Sequence, residues 1–275
     1  ELKQELRYGE NPHQKAELYT VGNGGIVNAK QIQGKELSYN NINDADAAYK
    51  LIMEFNKPAV CIIKHANPCG VAQADNINLA YSDALSCDPI SSFGGIVAFN
   101  KEVGEELALE IKSMFYEVII APSITEKAAE ILSSKKNMRI LLVDFNVQDG
   151  ARKVKSVNGG FLVQDEDRLI IGSDDLELKT KATATKAQFE NLIFAWKAIK
   201  HVKSNAILFA CDNKIIAIGA GQMSRVDSVR VASMKLQDFR KNNKINEANL
   251  VLASDAFFPF ADGLELAIEA GVKAV

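Results

Sequence analysis

The run Cys61-Ile62-Ile63-Lys64-His65-Ala66-Asn67-Pro68-Cys69-Gly70 sets a lysine beside a histidine at the end of a short apolar stretch, followed by what reads as an Asn-Pro-Cys-Gly turn. An imidazole titrates near neutral pH and can take a proton from a weak nucleophile, while a neighbouring ammonium can steady developing negative charge. Open α/β folds hold ligands beyond the carboxyl ends of their strands, so Lys64 and His65 read as a base and its electrostatic helper. Ten residues alone suit a surface loop with two incidental polar side chains equally well. Other segments have to decide.

Four of these look overdesigned for packing. Leu6-Arg7-Tyr8-Gly9-Glu10-Asn11-Pro12-His13-Gln14 puts Arg, Tyr and His in a loop of turn formers, where anions and planar rings are often bound; surface solvation explains Glu10 and Gln14 comfortably and Arg-Tyr-Gly less well. Ser91-Ser92-Phe93-Gly94-Gly95 runs into a strand, and its glycines let a flat ligand approach the backbone beside a ring, although a plain glycine turn fits as well. Gly219-Ala220-Gly221-Gln222-Met223-Ser224-Arg225 follows a strand and opens a helix, a setting for anions. It also offers a weak dinucleotide fingerprint, which Ser224 in place of the third glycine and Asp238 inside the helix both weaken. Ser254-Asp255-Ala256-Phe257-Phe258-Pro259-Phe260-Ala261-Asp262 gathers three Phe and a Pro, suited to a pterin-like or purine-like ring or to a packed turn.

The elements that must position these segments alternate. Helices are expected at 44–55 with Asn43 or Asp44 as cap, and at 79–86, 105–114, 126–132, 189–202, 227–239 and 264–270. Strands are expected at 59–63, 96–99, 118–121, 140–143 and 250–253, with a hairpin over 206–218 and a strand starting at 272. The pattern is βαβ, hence α/β, and the polar stretch 172–186 is the expected connection between two subdomains.

A chain of 275 residues, 47% hydrophobic and 24% charged, can bury a sizeable core, and a net charge of -3 argues against binding nucleic acid by bulk electrostatics. The longest apolar runs are strand-sized, so no membrane segment is expected. The first residues lack the pattern of a secretory signal, which makes the cytoplasm the expected compartment. Four cysteines without Cys-x-x-Cys spacing read as reduced thiols. Zinc nucleobase deaminases need His-x-Glu and Pro-Cys-x-x-Cys; position 67 is Asn and position 72 is Ala, so no catalytic zinc is expected.

Taken together, the strings LRYGENPHQ, KELSYNNINDADAA, IIKHANPCGVA, DPISSFGGIVAFN, EVIIAPS, AWKAIKHVKSNAI, IGAGQMSRVDSVR and SDAFFPFADG closely resemble the AICAR transformylase part of the bifunctional purine-biosynthesis family, over essentially the whole chain. The resemblance implies two tandem cytidine deaminase-like α/β/α subdomains without the zinc, at 1–175 and 176–275, in a homodimer whose active sites lie at the subunit interface. It implies formyl transfer from 10-formyltetrahydrofolate, the cosubstrate, to the 5-amino group of the AICAR nucleotide. By the same resemblance Lys64, His65 and Asn205 are catalytic. Arg7 and Tyr8 meet the nucleotide phosphate with His13 nearby, and Asn41, Arg225 and Phe257 meet its carboxamide and base. Phe93, Gly94, Glu117, Pro259, Phe260 and Asp262 lie near the pterin.

The resemblance further allows a structural potassium near Ser204 and Asp255 and calls for no catalytic metal. The family's cyclohydrolase domain and C-terminal tail lie outside this sequence, so ring closure to IMP is not expected of it. Two readings of other classes compete: a non-catalytic relative that only binds nucleotide or folate, and a dinucleotide-dependent oxidoreductase built on 219–224.

Overall fold

The computed structural model describes residues 1–145 and 152–275. A hairpin of β1 (Leu2–Leu6) and β2 (Ala16–Tyr19) precedes β3 (Lys30–Gln33), α1 (Tyr39–Ile52), β4 (Ala59–Lys64), β5 (Asn67–Gln73), α2 (Ile77–Cys87), the single turn α3 (Pro89–Ser92) and β6 (Gly95–Phe99). Then come α4 (Glu105–Ser113), β7 (Tyr116–Ala121), α5 (Glu126–Ser133), β8 (Arg139–Leu142) and a ribbon of β9 (Arg152–Val157) and β10 (Gly160–Asp165). After an irregular stretch follow α6 (Lys186–Ile199), β11 (Ile207–Cys211), β12 (Lys214–Gly219), α7 (Arg225–Asn242), β13 (Val251–Ser254) and α8 (Ala261–Glu269).

Nine strands form one mixed sheet in the order β13-β11-β12-β5-β4-β6-β7-β8-β3. Only the β6–β7 and β7–β8 pairs are parallel, so the expected βαβ pattern holds for that third of the sheet. The strands carry apolar side chains on both faces because helices cover both. Cys61 and Ile63 point into a core with α1 and α6, while Val60 and Ile62 join the opposite core under α2, α4 and α5. A third cluster packs α7 and α8 on β11–β13.

Local chemistry explains three departures from the expected elements. Helix α1 starts at Tyr39 rather than at residue 44, because Ser38 and Asn41 form a reciprocal capping box that satisfies the first amides. The stretch Asn67-Pro68-Cys69-Gly70 is the start of β5, not a turn; the turn is His65-Ala66, both with positive φ (52° and 56°). Pro68 is tolerated there because the β4–β5 register shifts between Ile62 and Ile63. At Gly70 a Cβ would lie 2.1 Å from the Ala84 carbonyl oxygen, so glycine lets α2 close on the strand. The β9–β10 ribbon was not expected, and all of its residues are exposed.

The stretch 172–186 does connect two parts of the chain, yet both parts build the same sheet. Lys214 of β12 pairs with Ala72 of β5. Gln73 donates to Asn213 from both its backbone amide (3.0 Å) and its side chain (2.8 Å). On one face the Phe55 and Phe194 rings meet at 5.4 Å within a core drawn from both parts. Among the described residues no helix is long and apolar enough to cross a membrane.

Phe194 is 1% exposed. Phe194→Ala should therefore cost about 3–5 kcal/mol in denaturant unfolding. Both parts should still unfold in one transition, because they share a sheet and a core. Two separate transitions in the unsubstituted protein would contradict the shared-core description.

Candidate active site

Antiparallel pairing brings the chemistry-bearing segments to one edge of the sheet. At this edge β4 ends in Lys64, β5 begins at Asn67, β6 begins just after Gly94 and β7 begins just before Glu117. In the other part β11 begins after Asn205, β12 ends at Gly219 and β13 ends at Ser254, all on the same side. The rule of ligands at carboxyl ends thus applies to β4, β12 and β13, whereas β6 and β7 contribute their amino ends.

Lys64 Nζ donates to the Phe93 carbonyl at 2.7 Å. Gly94 has φ +70°, a conformation that calls for glycine, and a Cβ there would lie 3.1 Å from the same Nζ. The Gly94 amide donates to the Phe115 carbonyl at 2.7 Å, and the Phe93 and Phe115 rings lie 5.3 Å apart, Phe93 being 60% exposed. His65 is exposed, and its backbone amide and that of Ala66 donate to the two carboxylate oxygens of Asp44 at 3.0 and 2.9 Å.

Helix α1 points its amino end at this edge. Asn41, 5% exposed, donates to Glu117 Oε2 at 2.6 Å, and Arg139 lies 3.9 Å from the same oxygen. Asn40 donates to the Glu10 carbonyl, tying down the loop between β1 and β2 that carries Arg7, Tyr8 and His13. The Arg7 guanidinium stacks 5.6 Å from the Tyr8 ring centre, and both Arg7 and His13 are exposed.

Across the edge, Asn205 and Arg225 form the centre of a dense network. Asn205 Nδ2 donates to the Gln222 and Met223 carbonyls, and its Oδ1 accepts from Arg225 Nη2, each at 3.0 Å. Arg225 Nη1 also donates to Ser254 Oγ at 2.7 Å and pairs with Asp255. Both side chains are thus already committed to the loops after β12 and β13. Phe257, Pro259, Phe260 and Asp262 project from the exposed loop and first turn that follow, with Phe257 81% exposed. A row of solvent-facing rings on a polar edge suits a planar ligand or a covered interface.

A cavity of about 300 Å³ lies between the two parts beside Lys64, bordered by Asn67, Asp88, Ser91 and Lys235. Asp88 caps α3, accepting from the Ser91 amide (2.9 Å) and hydroxyl (2.7 Å), and pairs with Lys235 of α7 at 2.7 Å. An Asp-Pro-x-Ser sequence is a capping signal, so Asp88 was findable from sequence; Lys235, 147 residues away, offered none. Burial pushes the Cys69 thiol in the cavity wall up to about 11, which leaves it a protonated bystander near neutral pH.

Among the described residues no group of three or more His, Cys, Asp or Glu is arranged to hold a metal ion. Asp255, one of the two residues named for a structural potassium, accepts from Ser204, Arg225 and the Ala206 amide. The dinucleotide reading of 219–224 loses its footing. Strand β12 has antiparallel neighbours on both sides instead of a βαβ setting, and at Gly219 a Cβ would lie 1.9 Å from the Ser228 carbonyl oxygen, so packing alone requires glycine.

Comparison with known proteins converges on one family. The AICARFT/IMPCHase bienzyme family profile matches residues 1–235. The bifunctional purine biosynthesis protein PurH of Rhodospirillum rubrum is 51% identical over 281 residues, covering 100% of this chain and 53% of that protein. Its counterparts in Bartonella bacilliformis and a Chelativorans species are each 50% identical, covering 98% and 100% of this chain. The chain spans about half the length of the curated relatives it matches.

Burial alone would raise the Asp255 carboxyl, but the hydrogen bonds from Ser204, Arg225 and Ala206 outweigh it and hold the group below its ordinary value. A depressed carboxylate contributes stability that is complete above the unfolded-state value and fades as the pH falls through the folded one. Asp255→Asn should therefore lose about 1–3 kcal/mol at pH 7, and its gap from the unsubstituted protein should narrow below about pH 4. Urea unfolding across pH 3–7 measures this. A gap that stays constant over that range contradicts the assignment.

Proposed function

The chain belongs to the AICARFT/IMPCHase bienzyme family, and from that premise we propose that it carries the formyl-transfer activity of purine synthesis. It takes the formyl group from 10-formyltetrahydrofolate to the 5-amino group of the AICAR nucleotide, yielding the formylated nucleotide and tetrahydrofolate. The observation that carries this reading is the Lys64-His65 pair on a sheet edge, with the Lys64 amine against the Phe93-Gly94 backbone and exposed rings around it.

The acceptor amine is conjugated with the imidazole carboxamide and is a poor nucleophile. His65 removes its proton as the new nitrogen–carbon bond forms. Lys64 steadies the charge on the formyl oxygen and then assists the folate nitrogen as the old carbon–nitrogen bond breaks and that nitrogen takes up a proton. The overall proton count is thereby conserved. Each such role is typically worth about two to four powers of ten in rate.

Arg7 and Tyr8 take the nucleotide phosphate with His13 beside them on the same loop, supported by the exposed guanidinium of Arg7 and the anchoring of the loop to α1. Asn41, Arg225 and Phe257 face the carboxamide and base. Asn205 orients the formyl group and substrate amide by exchanging one of its loop bonds for the substrate. Phe93, Gly94, Pro259, Phe260 and Asp262 enclose the pterin. Glu117 accepts ring donors with the oxygen that Asn41 leaves free.

The same proposal includes the two tandem cytidine deaminase-like subdomains at 1–175 and 176–275, cytoplasmic residence, and a homodimer with shared active sites. The exposed apolar side chains of the β9–β10 ribbon, Phe161 and Leu162 among them, support a partner surface.

In the protein as the cell makes it, His65→Ala should cut kcat by about a hundredfold or more while nucleotide affinity stays within several-fold. Near-normal turnover excludes the general-base role, and a protein that binds both ligands without transferring formyl is a binding module. Arg7→Ala should weaken nucleotide binding by about 1.5–3 kcal/mol and folate binding far less. Calorimetric titration of each ligand checks this, once the oligomeric state is shown to be unchanged; equal losses for both contradict the phosphate assignment.

A further inference from the structure

We propose that Asp44 is a positioning residue for the formyl transfer, acting as a clamp that holds the His65-Ala66 turn and so fixes where the His65 imidazole stands. The inference rests on His65 being the base. It begins from the backbone: His65 (φ 52°) and Ala66 (φ 56°) both occupy the left-handed region, which suits a two-residue hairpin but is rare outside Gly, Asn, Asp and His, so the cost falls chiefly on Ala66. A hairpin demanding this conformation would ordinarily carry Asn-Gly or Gly-Gly. Here it carries a histidine and a β-carbon-bearing alanine, and something outside the turn has to hold it.

Asp44 is so placed. Its Oδ2 accepts from the His65 amide at 3.0 Å and its Oδ1 from the Ala66 amide at 2.9 Å, so one carboxylate spans the two consecutive N–H groups that the turn directs outward. Charge-assisted bonds of this kind are stronger than neutral ones. The carboxylate is itself fixed, because Asp44 lies one turn along α1 from Asn41, whose side chain is held by Glu117 and by the capping box with Ser38. The two strands then close on Lys64 opposite Asn67, and Asn67 Oδ1 accepts the Lys203 amide from the other part of the protein at 3.0 Å. Pinned on both sides, the turn presents an exposed imidazole at a set height above the edge.

The test separates this role from mere structural support and from failure of the base assignment. Amide hydrogen exchange followed by NMR should find His65 and Ala66 protected in the unsubstituted protein, and their exchange accelerated tenfold or more in Asp44→Asn while α1 amides are unchanged. This readout needs no activity. In formyl-transfer kinetics Asp44→Asn should lower kcat about tenfold or more with nucleotide Kd within about threefold. Ala66→Gly, which removes the left-handed penalty at one of the two positions, should restore much of that loss in the Asp44→Asn background. Unprotected turn amides in the unsubstituted protein, or a kcat loss that Ala66→Gly does not relieve, would overturn the clamp. If Asp44→Asn instead loosens the turn with kcat unchanged, the positioning role is overturned even though the hydrogen bonds exist.

Discussion

The pairing of β5 with β12 is the contact on which the rest of the site depends. It is short, with Lys214 opposite Ala72 and Gln73 bonded to Asn213, yet it fuses the two parts of the chain into one sheet and fixes their direction. Since both neighbours run antiparallel to their own partners, the ends of β4, β12 and β13 and the starts of β5, β6, β7 and β11 meet on one side. Strand β12 is buried on both faces from Ile215 to Gly219, so alternation alone does not fix the register; the Gln73–Asn213 bonds and the close approach of Gly219 to the Ser228 carbonyl do. The salt bridges Lys214–Asp83 and Lys235–Asp88 and the Glu54 carboxylate shared by Lys200 and His201 cross the same seam.

Along that edge rigidity and exposure are divided. Asn205, Arg225 and Asp255 are mutually bonded and little exposed, and they brace the loops after β12 and β13. His65, Arg7, His13 and the rings of Phe93, Phe257 and Phe260 face solvent from those braced loops and turns. Reacting groups on a preorganised frame need little reorganisation when ligands arrive. The polar network therefore braces the exposed side chains and, in the proposed function, also offers Asn205 and Arg225 to the substrate.

Much of this was legible in the sequence, and the misses have physical reasons. The apolar runs of β4, β6 and β7 and the helices from α4 to α8 follow from periodicity, and Lys64-His65 stood out because charged residues seldom close a buried strand. The true turn at His65-Ala66 was hidden, because its left-handed backbone is held by Asp44 from another element and Ala66 is a poor turn former. Pro68 and Gly70 imitated a turn while serving a register shift and a helix contact. The pairings of Asn41 with Glu117 and Lys235 with Asp88 join residues 76 and 147 positions apart, and no local pattern announces them.

The central claim is that one sheet edge receives both a nucleotide and a folate around Lys64 and His65. Hydrogen-exchange mass spectrometry with the AICAR nucleotide and a non-reactive folate analogue tests it most directly. Together the two ligands should slow exchange in the segments around residues 7–14, 64–67, 91–95, 219–225 and 254–262, and leave the helices α2, α4 and α5 on the far face unchanged. Protection confined to another edge, or none at saturating ligand, would contradict the account.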